Sequence, residues 1–350
     1  MKLWEYIVRR LLLLIPVLLG VSIITFALTR AVGDPAAIYI DERCSLNPAC
    51  VASIYHRYGF DLPIPLQYIR YMQALFAGDL GYSRTAKLPV SEAIAAFFPA
   101  TFELATASMI LAVVFAIPLG VISATKRDRP IDHATRIFAL SGVSVPVFWL
   151  ALMLKWTLYL RAFELFGTSI FPPQGRSESS LYGVPGAPVP AVTKLYTIDA
   201  ILAGNWQGLG DALWHLALPS ITLAFGTMAV ITRMMRSSML EVLNQEYIKT
   251  ARSKGLDERV VIKKHARRNA LIPTTTVIGL AFGGLLGGAV LTETVFAWPG
   301  LGQWSASAIT QTDNAAIMGF TLLAAVVYVL ANLAVDILYA YLDPRIRLGE

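Results

Sequence analysis

Six stretches of this chain are too long and too apolar to sit comfortably in a soluble protein: residues 11–29, 100–124, 137–160, 213–231, 271–297 and 315–342. A run of roughly 20 apolar residues is what a helix needs to cross a hydrocarbon core about 30 Å thick. Within that core every backbone amide and carbonyl must find a partner, which leaves helices or closed barrels. The runs carry Leu, Ala, Val and Ile at helical spacing and lack the ten-residue alternation of barrel strands. Composition agrees, with 56% apolar and only 15% charged residues, against about 25% charged in a soluble domain. The expected fold is an all-α polytopic membrane protein with six transmembrane helices.

Lysine and arginine set the expected orientation. With the N-terminus inside, segments 1–10, 124–136, 233–270 and 343–350 hold 19 of the 29 basic residues in 69 positions. The opposite segments, 30–98, 161–212 and 298–316, hold 9 in 140 positions. The expected topology is therefore N-in and C-in. The net charge of +6 is an orientation signal, and no basic–aromatic pattern of a nucleic-acid surface competes with it. Lys2, Arg9 and Arg10 before the first span resemble a signal-peptide n-region. The apolar core is too long for one, and residues 27–31 make a poor cleavage site, so the segment reads as a retained anchor.

Two exterior segments follow from this topology. Segment 31–98 opens on the turn signal Gly33-Asp34-Pro35, with short helices expected at 49–58 and 65–76. It is a small cap, too short to be stable alone. Cys44 and Cys50 lie in it, separated by a turn-prone Asn-Pro. They read as a disulfide if the compartment is oxidising, or as two unpaired thiols. Segment 161–212 has a Pro/Gly-rich middle and a short helix expected at 198–203; it packs on the cap or meets an external partner. Pro16, Pro118, Pro146, Pro219 and Pro273 interrupt the spans, and such prolines let membrane helices kink. Gly283, Gly284, Gly287 and Gly288 read mainly as close-packing positions.

The most unusual segment lies between the fourth and fifth runs. Met239, Leu243, Tyr247 and Ala251 recur at i, i+4, i+8 and i+12, one expected helix face. Arg252 and Lys254 suit a helix C-terminus, Gly255 a left-handed stop with Leu256 beyond it, and Asp257 the N-cap of a second helix over 258–268. Two short helices joined at a glycine would lie across the cytoplasmic end of the bundle. Ala251 and Gly255 are small and permit close approach. The competing reading, a basic hairpin on anionic headgroups, would call for Trp or Phe anchors that are missing here. Docking to a protein is the better reading.

Here the chain resembles a known family. The run Lys249-Thr-Ala251-Arg-Ser-Lys-Gly255 is similar to the "EAA" loop of the integral-membrane permeases of ATP-binding-cassette importers, dipeptide/oligopeptide branch, with Lys249 in place of the acidic first residue. Further matches are Arg9-Arg10, Gly33-Asp34-Pro35, Gly78-Asp-Leu-Gly-Tyr-Ser83, Ala100-Thr-Phe-Glu-Leu104, Arg233-Met-Met-Arg-Ser-Ser-Met-Leu240, His265-Ala-Arg-Arg-Asn-Ala270, Glu293-Thr-Val-Phe-Ala-Trp-Pro-Gly-Leu-Gly302 and Asp343-Pro-Arg-Ile-Arg347. The Cys44/Cys50 pair is not part of that pattern. The resemblance implies a type I permease fold: an anchor helix plus exterior cap (1–98), a permease core (99–342) and a cytoplasmic tail (343–350). It implies a multi-pass protein of the cytoplasmic membrane, assembled with a second permease, two ATPase subunits and an external solute-binding protein. Glu246, Tyr247, Ala251, Arg252, Gly255 and Leu256 would then sit in a cleft on an ATPase subunit.

The chain has no Gly-x-x-x-x-Gly-Lys-[Ser/Thr] loop to cradle phosphates, so ATP and Mg are expected on the partners, with no cofactor here. His56, His133, His215 and His265 have no ligand spacing, so neither a metal site nor an enzyme is expected. Candidates for lining the path are Ser141, Ser144 and Trp149 around Pro146, and Thr274, Thr275 and Thr276, which either line a pore or bond back to their own helix. Among intramembrane ionisable groups, Lys155 reads as structural, Glu103 and Glu293 as lying near water at span ends, and Asp336 as paired or solute-facing. The expected solutes are di- and oligopeptides; nickel chelates, glutathione, opines and oligosaccharides are alternatives. A stand-alone secondary transporter would call for inverted repeats, and none is visible.

Overall fold

The computed structural model describes residues 3–32, 36, 40, 42–178, 182 and 188–342. The expected turn at 33–35, the tail at 343–350 and the side chain of Asp336 lie outside the described residues. The described residues are mostly helical, with one small hairpin and an irregular stretch between residues 167 and 195 that carries an isolated bridge between Tyr182 and Val189. α1 (Leu3–Val32) is followed by α2 (Glu42–Ser45), α3 (Pro48–Tyr58) and α4 (Ile64–Phe76). The hairpin pairs β1 (Tyr82–Ser83) with β2 (Leu88–Pro89). α5 (Val90–Thr125), α6 (Pro130–Ser144) and α7 (Val147–Lys155) come next, and a π-helical turn leads into α8 (Ala162–Phe166). The short α9 (Tyr196–Leu202) precedes the long α10 (Trp206–Leu243) and α11 (Glu246–Ser253). α12 (Glu258–Val260) passes through a second π-helical turn into α13 (Arg267–Leu286). α14 (Val290–Val295), α15 (Leu301–Thr310) and α16 (Asn314–Leu342) complete the chain.

Among the described residues, five helices are long and apolar enough to cross a membrane, and the bent pair α6/α7–α8 makes a sixth crossing only if counted as one span. The run 137–160 was expected to be a single span. Its limbs instead meet at 101°. Val145, which precedes Pro146, is extended at φ −81°, ψ 122°, as the proline ring disfavours helical geometry there. The second limb is held away by tertiary contacts: Ala151 packs in a buried cluster with Leu218 and Phe296, and the Lys155 ammonium donates to the Val295 carbonyl at 2.9 Å. Pro16, Pro118, Pro219 and Pro273, by contrast, lie inside continuous helices.

Two further boundaries differ from expectation. The helix expected at 258–268 does not stop before Pro273 but continues through α12 and α13 as one rod to Leu286. The fifth span ends there and not at 297, because Gly288 turns the chain at φ +101°. A Cβ on Gly288 would stand 2.9 Å from the Gly302 Cα, so only glycine fits this crossing.

α10 is the central post. It packs along α5 and also against α6 and α13; α16 covers α13, and α1 leans on α16. Small residues bring the axes close: Gly142 faces Ala229, where a Cβ would lie 2.5 Å away, and Gly283 faces Ala331 at 2.9 Å. Without a hydrophobic drive inside lipid, such close packing supplies the attraction. Of the glycines read as packing positions, Gly283 and Gly288 serve that way, whereas Gly284 meets nothing within 4 Å.

At the end of the bundle away from α11, Glu103 and Glu293 are not near water but buried. Glu103 pairs with Arg176 at 2.6 Å and accepts from Thr197, which ties segment 161–212 down onto α5. Arg176 also stacks over Tyr196, 3.9 Å from the ring centre. Glu293 has no cation within ion-pair distance among the described residues. Its carboxylate accepts from the Thr101 hydroxyl (2.9 Å) and the Gln303 amide (2.9 Å), closing the N-terminus of α15. The Trp298 indole donates to Ala100 at 2.9 Å, and the Leu301 amide to Thr101 at 2.8 Å. Asp313 accepts from Ser83 and Thr85 and so fastens the hairpin to the start of α16. In the cap, Cys44 and Cys50 are joined by a disulfide.

Candidate functional site: a helix–glycine–helix segment at one end of the bundle

The segment begins where α10 ends. Asn244 and Gln245 break the helix, and Gln245 is extended at φ −73°, ψ 149°. The chain therefore re-enters helix at Glu246 with a new phase, and the stripe Met239–Leu243–Tyr247–Ala251 is not one face. Met239 and Ala251 are buried, Leu243 is half-buried and Tyr247 points out. The inward residue is Ile248, which is fully buried. With Ala251 it joins Met235 and Met239 of α10, Ala124 of α5 and Val261, Ala266 and Ala270 of the α12–α13 rod. Burying an isoleucine stabilises by about 1.5–3 kcal/mol. This cluster fastens α11 to three long helices at once.

Ala251, at 7% exposure, packs into the chain's own core beside Ile248. Glu246, Tyr247, Arg252, Gly255 and Leu256 do lie on the exposed side. Gly255 takes φ +74° and nothing stands within 4 Å of where its Cβ would be, so its surface is open as well as left-handed. Asp257 caps the next helix, accepting from the Arg259 amide at 2.7 Å. Arg252 spans the turn to Glu258 with two bonds, 3.0 and 2.6 Å. That carboxylate raises the Arg252 guanidinium above its ordinary range, so it stays charged. Lys249 bonds Glu246 at 2.7 Å, and Asn269 donates to the Tyr247 hydroxyl at 2.8 Å. The surface is pre-formed, mixed in charge and held by its own ion pairs.

A second fastening lies beside it. Asp132, fully buried, receives the Arg236 guanidinium in a fork at 2.7 and 3.0 Å, the Ser123 hydroxyl at 2.6 Å and the Asp128 amide at 3.0 Å. It locks the α5–α6 turn to α10. The sequence reading missed both Asp132 and Ile248. A signal existed for each: Arg236 stands in a quoted motif without a named partner, and Ile248 is the one large apolar residue in 248–255.

The path candidates do not converge. Ser141 bonds back to the Phe138 carbonyl at 2.8 Å, while Ser144 and Trp149 are exposed around the Pro146 bend. Thr274 is fully buried, bonds back to Ala270 at 2.9 Å and touches the Met235 sulfur; Thr275 bonds back to Leu271 at 2.9 Å. Thr275 also borders a largely apolar cavity of about 580 Å³ between α5, α13 and α16. Thr276 is half-buried. The back-bonding reading fits Thr274 and Thr275.

Residues 116–348 match the family described as binding-protein-dependent transport system inner membrane component, and residues 3–105 match the N-terminal family of the same system. The chain belongs to this family. It is 44% identical over 350 residues to a probable D,D-dipeptide transport system permease protein of Escherichia coli K12, covering 100% of this chain and 99% of the relative. It is 44% identical to a dipeptide transport system permease protein of Alkalihalophilus pseudofirmus, covering 98% and 99%. An oligopeptide transport system permease protein of Bacillus subtilis is 38% identical, covering 98% and 99%. The fold gives physical content to motifs of this multi-pass transport component. In Glu293–Gly302, a Cβ on Gly300 would come within 2.6 Å of the Glu293 carboxylate and one on Gly302 within 2.9 Å. Ala100–Leu104 supplies Thr101 and Glu103 to the same end.

Proposed function

We propose that the chain is a membrane-embedded subunit of an ATP-binding-cassette importer through which di- and oligopeptides enter the cell. The reading rests on the permeases it resembles, whose names specify dipeptides and oligopeptides. It sits in the cytoplasmic membrane with both termini inside, the orientation favoured by its basic residues. Residues 1–98 act as anchor and cap, 99–342 as the permease core and 343–350 as the tail. A second permease completes the path, and an external solute-binding protein delivers the peptide. The subunit is not an enzyme and binds no cofactor; two ATPase subunits bind ATP and Mg.

The observation that carries the mechanism is the seating of α11. Its outer face, with Glu246, Tyr247, Arg252, Gly255 and Leu256, fits into an ATPase subunit. Its inner face, Ile248 and Ala251, is buried against α5, α10 and the α12–α13 rod. When ATP draws the ATPases together, the displacement of α11 passes to these helices as one body, and the path alternates its opening. A switch from 1:99 to 99:1 needs about 5.5 kcal/mol of differential binding, a demand that two ATP sites meet and a weakly held solute does not.

The test is Gly255→Asp. Aspartate tolerates the left-handed region better than most residues, and the position is sterically open, so insertion and folding persist. Peptide uptake and co-purification of the ATPase subunits are expected to fall together. Wild-type uptake with normal ATPase association would overturn the coupling role.

A further inference from the structure

A cavity of about 370 Å³ lies where α1 ends and α16 begins, roofed by the cap. Arg30, Arg57 and Arg70 border it, with Asp79 as the one carboxylate on its wall. Asp79 is engaged by the Gly81 amide at 2.8 Å. Arg30 is held between the rings of Phe26 and Phe60, 5.1 and 5.2 Å from their centres. Among the described residues, neither Arg57 nor Arg70 has a carboxylate within ion-pair distance. Asn314 lines the same cavity at 5% exposure, and both polar atoms of its amide lack a hydrogen-bond partner. An orphaned buried amide beside a group of guanidiniums is the donor set of an anion site.

The depth of the cavity narrows the ligand. Phe26, Thr29 and Arg30 are in the last turns of the α1 span, and Asn314, Ala315 and Met318 in the first turns of α16. Tyr68 and Tyr71 of α4 pack on Phe26 at this level, as aromatic side chains do at a membrane–water interface. α4 also leaves Ile64, Ile69 and Phe76 at 64%, 49% and 82% exposure, an apolar surface suited to an interface. Below the arginines, an apolar groove of about 290 Å³ runs between α1 and α16, lined by Ile24, Leu28, Ile317 and Thr321, and it shares Thr29 with the cavity above. Cationic rim, buried amide and apolar groove follow one another down the same helix pair.

We propose that this cavity and groove hold one molecule of an anionic phospholipid, its phosphate on Arg57, Arg70 and Asn314 and an acyl chain between α1 and α16. The lipid cements the cap and the peripheral α1 to the bundle. Neither the peptide solute nor the coupling role of α11 enters this inference.

The assembled transporter in mild detergent is titrated with phosphatidylglycerol and, separately, phosphatidylcholine, and bound lipid is counted by native mass spectrometry, with sodium phosphate as competitor. One saturable phosphatidylglycerol adduct is expected, resistant to phosphate. Arg57→Gln with Arg70→Gln should weaken it roughly thirtyfold, given the attraction of two surface arginines to anionic lipid, with phosphatidylcholine unaffected. Leu28→Trp, at a position 59% exposed and outside the core, should fill the groove and also remove the adduct. Wild-type phosphatidylglycerol binding in the double variant overturns the proposal. So does displacement by phosphate with no effect of Leu28→Trp, which marks a free-anion site. Unchanged lipid binding with lost affinity for the solute-binding protein assigns the arginines to that partner instead.

Discussion

The two ends of the bundle solve the same problem in opposite ways. At the end away from α11, loops are tied down by buried carboxylates: Glu103 on Arg176, Glu293 on Thr101 and Gln303, Asp313 on Ser83 and Thr85. At the α11 end the segment's own charges are paired at the surface, Lys249 with Glu246 and Arg252 with Glu258, and within α11 only Ile248 and Ala251 reach inward. Removing one partner of a buried pair strands a desolvated charge, whereas an exposed pair is screened and contributes little. One end is therefore held together by its buried polar groups. The other keeps a charged face exposed while its apolar face grips α5, α10 and the α12–α13 rod. Asp132 lies between these regimes: it is at the α11 end but buried, and it fastens α10 to the α5–α6 turn rather than α11.

Substitutions probe this contrast in graded fashion. Asp132→Ala leaves Arg236 without its fork and should cost the most, about 4 kcal/mol, read as a lowered unfolding midpoint in mixed micelles. Glu293→Ala strands the amides at the start of α15 and should cost about 3 kcal/mol in the same assay; a neutral result would show that water replaces the carboxylate. Ile248→Ala should cost about 2 kcal/mol. It should also depress peptide uptake although the outer face of α11 is intact, which separates seating from docking. Arg252→Ala should change stability by less than about 1 kcal/mol yet weaken ATPase association; a loss as large as that of Asp132→Ala would erase the distinction between the two ends. The smallest effect concerns pH. Burial pushes Tyr71 and Tyr182 to about 12. A raised tyrosine contributes stability below its unfolded value, near 10, and loses it as pH climbs toward 12. Absorbance titration should show two phenols ionising late, with the cap and segment 161–212 loosening in that window.

Much of the fold was legible because hydropathy over 20 residues depends little on context. α1, α5, α10 and α16 each contain the run expected of them, and α3, α4 and α9 fall within two residues of theirs. In the candidate site, Gly255 and Asp257 were legible because turn and cap preferences are local. Ile248 was overlooked for a geometric reason: the break at Asn244–Gln245 resets the helical phase, so a stripe counted through it groups exposed Tyr247 with buried Met239. Glu103 and Glu293 were misplaced because distance along a span says nothing about what folds over its end.

By itself the sequence determined that this chain crosses a membrane several times as helices and carries a charged helix–glycine–helix segment between two crossings. Both follow from short-range quantities: apolar run length and the φ angle a glycine alone takes readily. Only the tertiary structure decided which proline breaks a helix. Pro146 does so because Ala151 and Lys155 are drawn to Phe296 and Val295, while Pro118, Pro219 and Pro273 remain in unbroken rods. It also decided which carboxylates are buried and which face of α11 is left exposed. These depend on partners far away in sequence, and no local preference encodes a partner's position.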